Sequence, residues 1–86
     1  MASKTVTVGS AVGLHARPAT IIAEAAGEYD DEITLCVDGG DPVDAASTLM
    51  IMTMGAGNGA SVTVESDNAE AVEKIAGLIE KDLDAE

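Results

Sequence analysis

The stretch GLHARPATIIAEAA, residues 13–26, decides how the chain begins to fold. Its apolar residues, continued to position 29, fall at 18, 21, 22, 25, 26 and 29, which is the spacing of one helix face. Pro18 suits the first turn of this helix, because the N–H that proline lacks would have no partner inside the helix. We therefore expect a helix over residues 16–26 that ends at Gly27.

The start of this helix brings together chemically distinctive residues. His15 and Arg17 are the only histidine and the only arginine of the chain. His15 falls at the predicted N-cap, a position that Ser, Thr, Asp and Asn fill far better, and a locally unfavourable residue there indicates function. The N–H groups of the first turn, including that of Ala16, can bind a phosphate together with the Arg17 guanidinium, and a neutral imidazole can accept a phosphoryl group. A histidine that only forms a hydrogen bond is the alternative.

Alternating polar and apolar residues predict four strands, and helical spacing predicts two further helices. We expect strands at residues 4–8, 33–38, 43–45 and 60–65, a helix at 47–54 with Ser47 as N-cap, and a last helix starting near Asp67, which pairs with Glu70 as in a capping box. The order is βαββαβα. With one apolar face per element, this order predicts an α+β fold in which helices cover one face of an antiparallel sheet.

The predicted helix at residues 47–54 is apolar on nearly every side. Leu49, Met50, Ile51, Met52 and Met54 cannot all face one core. In a strongly acidic chain, apolar side chains left at the surface indicate a docking patch, and methionine adapts to several partners. The alternative is a helix tucked under the glycine-rich segment 55–59, which lacks the lysine of a nucleotide-binding P-loop.

Residues 13–19 resemble the active-site signature of the HPr family, the histidine-containing phosphocarriers of the phosphoenolpyruvate-dependent sugar phosphotransferase system. Residues 47–55 are similar to the family's regulatory-serine helix, and residues 56–60 lead into a strand as they do in the family. The similarity extends over nearly the whole chain. It implies an HPr-like open-faced β-sandwich, with a four-stranded antiparallel sheet and three helices on one face.

The resemblance implies that His15 accepts a phosphoryl group from phosphorylated enzyme I, on the pros nitrogen of its ring, and passes it to the IIA domain of a sugar permease. It also implies that Arg17 stabilises the phosphate, that Pro18 shapes the turn, and that the chain is a carrier without turnover of its own. A carrier for a phosphotransferase-linked dihydroxyacetone kinase would share this signature. A general small-molecule-binding module is a further alternative, which leaves these three residues unexplained.

Ser47 aligns with a serine that a dedicated kinase phosphorylates in some family members. The chain could therefore be a regulatory binding module acting through Ser47, although the N-cap role explains a serine there equally well. The resemblance also places the helix at 47–54 beside His15, and the contact candidates are Thr20, Thr48, Leu49 and Met52.

The chain differs from the family at positions around the active site that contact partner proteins. Family members commonly carry lysines around the active site, whereas Glu24, Gly27 and Ala46 stand at such positions here. We therefore expect docking through Arg17 and apolar contacts, which concentrated salt weakens little.

Composition limits the remaining properties. The length corresponds to one domain, residues 1–86, and sixteen acidic against four basic residues give a net charge of −12, which disfavours nucleic acid as a partner. The sequence has no membrane-spanning run and no signal-peptide pattern, and its single cysteine suits a reducing cytoplasm. The acidity and the lack of large aromatic residues fit a salt-adapted cytoplasm. We expect a cytoplasmic monomer that needs no cofactor and no metal.

Overall fold

In the part of the chain that the structure describes, seven elements follow one another in the order βαββαβα, as the sequence predicted. The computed structural model describes residues 2–9, 16–38, 40–54, 57 and 59–81. The strands are β1 (Ala2–Thr7), β2 (Ile33–Val37), β3 (Val43–Asp44) and β4 (Ser61–Ser66), and the helices are α1 (Ala16–Gly27), α2 (Thr48–Thr53) and α3 (Ala69–Glu80). In the described part of the chain, no helix is long and apolar enough to cross a bilayer.

The four strands form one antiparallel sheet in the order β1-β4-β2-β3. Its cross-strand rows alternate between the two faces because successive side chains of a strand point in opposite directions. In the row Val6–Val62–Val37, the first two side chains are buried and the third is half-buried against the core. The next row over, Thr5–Thr63–Cys36, belongs to the open face, where the hydroxyl oxygens of the two threonines lie 2.8 Å apart.

The core is built from small and branched aliphatic side chains, in keeping with a chain that has one aromatic residue, Tyr29. Ile22 of α1, Ile51 of α2 and Ile75 of α3 are completely buried. They share one hydrophobic cluster with the inward-facing residues of β1, β2 and β4. The described helices therefore all pack on the same side of the sheet, and the predicted α+β open-faced sandwich is confirmed.

The last helix begins later than the sequence predicted. Its N-cap is Asn68, whose side-chain oxygen accepts a hydrogen bond from the Ala71 N–H at 3.2 Å, and not Asp67. β4 runs on to Ser66, whose Oγ accepts the Asn68 N–H at 3.1 Å, and α3 begins at Ala69. The Asn68 side chain also donates to Asp31 at 3.0 Å, a contact between distant parts of the sequence that no local pattern reveals.

The chain leaves β1 underneath the end of α3. The Gly9 N–H donates to the Ile79 carbonyl at 3.0 Å, and the backbone of Glu80 lies against the Gly9 Cα. The Val8 carbonyl accepts the N–H of Gly59, whose φ of 87° lies in the region that glycine adopts without strain. These contacts anchor the end of β1 directly before the segment that leads to α1.

Candidate functional site

Helix α1 begins at Ala16, as predicted from its sequence. His15 is the preceding residue in the chain, and it lies outside the described residues together with Gly13 and Leu14. The first turn of any helix presents backbone N–H groups that no residue within the helix can accept. Pro18 in this turn costs no hydrogen bond, because proline has no N–H that would need a partner.

The two sides of α1 have different roles. Pro18, Ala19 and Ile22 are buried and hold the first turns against the core. Arg17 and Thr20 lie one turn apart on the exposed side, and each makes polar or electrostatic contacts within the protein. The buried proline thus holds the helix start in place and leaves the Arg17 side chain on the surface.

Helix α2 is short, and it is held by its N-cap and by core contacts of Ile51 and Met54. The Ser47 Oγ accepts the Met50 N–H at 3.3 Å, which confirms the predicted N-cap. Ile51 is fully buried, and Met54 at the C-cap packs partly against the core. Leu49, Met50 and Met52 remain exposed, with 67%, 43% and 37% of their surfaces accessible. The prediction that this helix leaves apolar side chains at the surface agrees with these values.

Helices α1 and α2 pack against each other, and each leaves side chains exposed. We call Arg17, Thr20, Leu49, Met50 and Met52 the α1–α2 surface. Of the contact candidates named from the sequence, Thr48 is only half-buried and lies at the start of α2. Sequence reasoning did not select Met50, although it recognised that the helix has more apolar residues than one core can accept.

The charge on these two helices is sparse. Together they carry one cation, Arg17, and one carboxylate, Glu24, which is two turns further along α1 and exposed. Lys4, at the far edge of the sheet, pairs with Glu73 of α3 at 3.3 Å. The α2 part of the α1–α2 surface is therefore apolar, and the positive charge of Arg17 lies near the start of α1.

An open groove of 360 Å³ runs between α2 and the connection from β2 to β3. Val37, Pro42, Val43, Met50 and Met54 supply its apolar wall. Cys36 lies nearby on the open face of the sheet, and its thiol donates to the Gly40 carbonyl at 3.0 Å. Among the described residues, no group of His, Cys, Asp and Glu is arranged to hold a metal ion.

Comparison with known proteins identifies the family of this chain. The family model described as the PTS HPr component phosphorylation site, where PTS is the phosphotransferase system, matches residues 2–81. The chain belongs to the HPr family. Membership gives it a phosphocarrier role in a phosphotransferase system. The predicted resemblance is thereby confirmed.

Relatives of the HPr family match along nearly their full length. The phosphocarrier protein HPr of Streptomyces coelicolor is 41% identical over 87 residues, covering 98% of this chain and 94% of the relative. The crystal structure of HPr from Bacillus anthracis superimposes with a TM-score of 0.84 at 31% identity, covering 91% of this chain and 95% of the other. HPr-C-His from Thermoanaerobacter tengcongensis gives a TM-score of 0.88 at 29% identity, covering 100% and 99%.

Proposed function

We propose that this HPr-family protein carries a phosphoryl group on His15, taking it from phosphorylated enzyme I and passing it to a IIA domain of a sugar permease. The observation that carries the proposal is the start of α1 at Ala16, directly after the histidine in the chain. A helix start concentrates N–H donors and the positive end of the helix dipole, and both favour a phosphate. The family match spans this segment.

The transfer chemistry needs little from the protein beyond positioning. A ring nitrogen of His15 forms a bond to phosphorus while the bond from phosphorus to the donor group breaks, and the acceptor later repeats the exchange in the other direction. The bound group brings about −1.5 to −2 charges to the helix start. The N–H of Ala16 and the guanidinium of Arg17 stabilise this charge by charge-assisted hydrogen bonds.

Docking uses the α1–α2 surface. Leu49, Met50 and Met52 give partners an exposed apolar area next to the helix that begins after His15. Apolar contact is insensitive to the screening that weakens exposed ion pairs in salt. We propose that this suits the acidic chain, with its net charge of −12, to a salt-rich cytoplasm, in which it acts as a single-domain monomer.

Incubation with phosphoenolpyruvate and enzyme I tests the proposal. Intact-mass spectrometry should show one adduct of about 80 Da per chain, labile in acid and stable in alkali, as expected of a phosphohistidine and not of a phosphoserine. Addition of a IIA domain should then remove the adduct. If a dihydroxyacetone kinase subunit removes the adduct and a IIA domain does not, the kinase is the acceptor. An alkali-labile adduct on Ser47 would contradict the assignment to His15.

Replacing Arg17 by alanine should slow transfer without unfolding the protein. Loss of a hydrogen bond between charged groups corresponds to a decrease of about 10- to 100-fold in the transfer rate constant. Arg17 is exposed, so its removal opens no cavity. The rate constant of phosphoryl transfer is measured by rapid quench. The rate constant of Arg17→Lys should lie between those of the parent protein and Arg17→Ala. Lys81→Ala, which removes an exposed cation at the end of α3, is the matched control and should transfer at the normal rate.

Replacing Leu49 by alanine should separate docking from folding. Because 67% of Leu49 is accessible, its truncation should change the free energy of unfolding by less than about 0.5 kcal/mol. The KM of enzyme I for the carrier should rise by about fivefold or more if the side chain fills a site on the partner. Ile51→Ala is the contrasting variant on the same helix, since Ile51 is completely buried. Its truncation should destabilise the protein by about 2–5 kcal/mol. An unchanged KM for Leu49→Ala would remove Leu49 from the docking surface.

A further inference from the structure

Helix α2 concentrates oxidisable sulfur on the protein surface. Three of the four methionines of the chain, Met50, Met52 and Met54, lie within or at the end of α2. The accessible fractions of Met50 and Met52 are 43% and 37%, and both side chains belong to the α1–α2 surface. From these positions we infer that Met50 and Met52 are sites of reversible oxidation by peroxide, and that their sulfoxides weaken docking of the carrier to its partners. The inference rests on the proposed function.

The reaction is complete with a peroxide as the only co-reactant. The methionine thioether takes one oxygen atom from hydrogen peroxide, whose O–O bond breaks, and the rest of the peroxide leaves as water. Sulfur loses two electrons and the peroxide gains them. A methionine sulfoxide reductase with a thiol donor restores the thioether, so the modification is reversible.

The surroundings of the sulfur atoms determine which of them react. Met54 is only half-exposed, because its side chain packs against the core. The Cys36 thiol is half-buried and donates to the Gly40 carbonyl at 3.0 Å, with the Val37 carbonyl as a second possible acceptor at 3.4 Å. Met50 and Met52 should therefore react before Met54.

Oxidation at these two positions should change binding and leave the fold intact. A sulfoxide oxygen is a strong hydrogen-bond acceptor, and burying it against an apolar partner without a donor is unfavourable. The fold depends on other parts of α2, namely the completely buried Ile51 and the cap at Ser47. Peroxide would thus lower phosphoryl flux through the carrier while leaving the phosphate-binding helix start unchanged.

The test compares peroxide-treated with untreated protein, in the full-length chain and in a Cys36→Ser background that excludes thiol oxidation. Peptide mapping should find gains of about 16 Da on the peptide containing Met50 and Met52 at the lowest peroxide doses. The treated protein should show an increase of about tenfold in the KM for enzyme I, and the reductase should reverse it. Circular dichroism of the same samples reports the fold.

Two variants separate the surface methionines from Met54, each measured against its own untreated sample. Met50→Leu/Met52→Leu should lose the sensitivity to peroxide, whereas Met54→Leu should keep it. If oxidation of Met54 loosens the core, Met54→Leu removes that effect and leaves only the effect of the two surface methionines. An unchanged KM after both surface methionines have been oxidised would overturn the inference. The proposed function is tested separately, because the untreated protein must accept the phosphoryl group in the same assay.

Discussion

His15→Ala is expected to abolish phosphorylation by phosphoenolpyruvate and enzyme I, with no adduct detectable by intact-mass spectrometry. The variant lacks the only imidazole of the chain, so no other ring nitrogen can replace the lost nucleophile. The effect is all-or-none. Arg17→Ala, by contrast, only slows the transfer, since a cation stabilises charge but forms no bond to phosphorus.

The control must show that His15→Ala is folded. Its urea denaturation midpoint should match that of the parent protein, because the core described here is built from other residues. His15→Gln is the second variant, which keeps a polar side chain of similar length and should be equally inactive. A single acid-labile phosphoryl group on either variant would refute the assignment.

Gly9→Ala is expected to destabilise the fold by about 3 kcal/mol. A Cβ atom at this position would collide with the Glu80 carbonyl oxygen and would come within 2.7 Å of its carbon. Both atoms are backbone and belong to the end of α3, so neither can move aside as a flexible side chain could. Relief requires β1 and α3 to separate, which would stretch the 3.0 Å hydrogen bond from the Gly9 N–H to the Ile79 carbonyl.

The matched control for Gly9→Ala is Gly77→Ala in α3. A Cβ at Gly77 would meet nothing within 4 Å, and alanine has the higher helix propensity. We expect this variant to gain about 0.5–1 kcal/mol of stability. Urea denaturation followed by circular dichroism measures both variants. A Gly9→Ala protein that unfolds at the parent's urea concentration would show that the ends of β1 and α3 are less tightly packed than they are in this structure.

Local sequence patterns predicted most of the fold. The apolar spacing and Pro18 located α1, which begins at Ala16 as expected, and strand alternation located the four strands to within two residues at each end. Ser47 was identified as an N-cap because capping depends on a hydrogen bond between residues only three positions apart in the chain. These features depend on neighbours in the chain, so the sequence contains the information needed to predict them.

The sequence named the residues proposed for the site, but it did not show which of the α2 side chains are exposed. The resemblance assigned the family, and the match over residues 2–81 confirms it. The roles of His15, Arg17, Pro18 and Ala16, and of the docking residues, stay predictions for the experiments above. Met50 was not among the contact candidates, because helical periodicity shows that α2 has too many apolar residues for one core but does not show which of them the core buries.

The sequence by itself determined the element order, the start of α1 after His15 and the excess of apolar residues on α2, since each follows from periodicity or from residue chemistry at short range. Only the tertiary structure decided that Ile51 faces the core while Leu49, Met50 and Met52 face solvent, that Asn68 replaces Asp67 as the cap of α3, and that Gly9 leaves no room for a side chain. The physical reason is that burial, capping partners and close backbone contacts are set by segments distant in the chain, which meet only when the sheet and helices pack together.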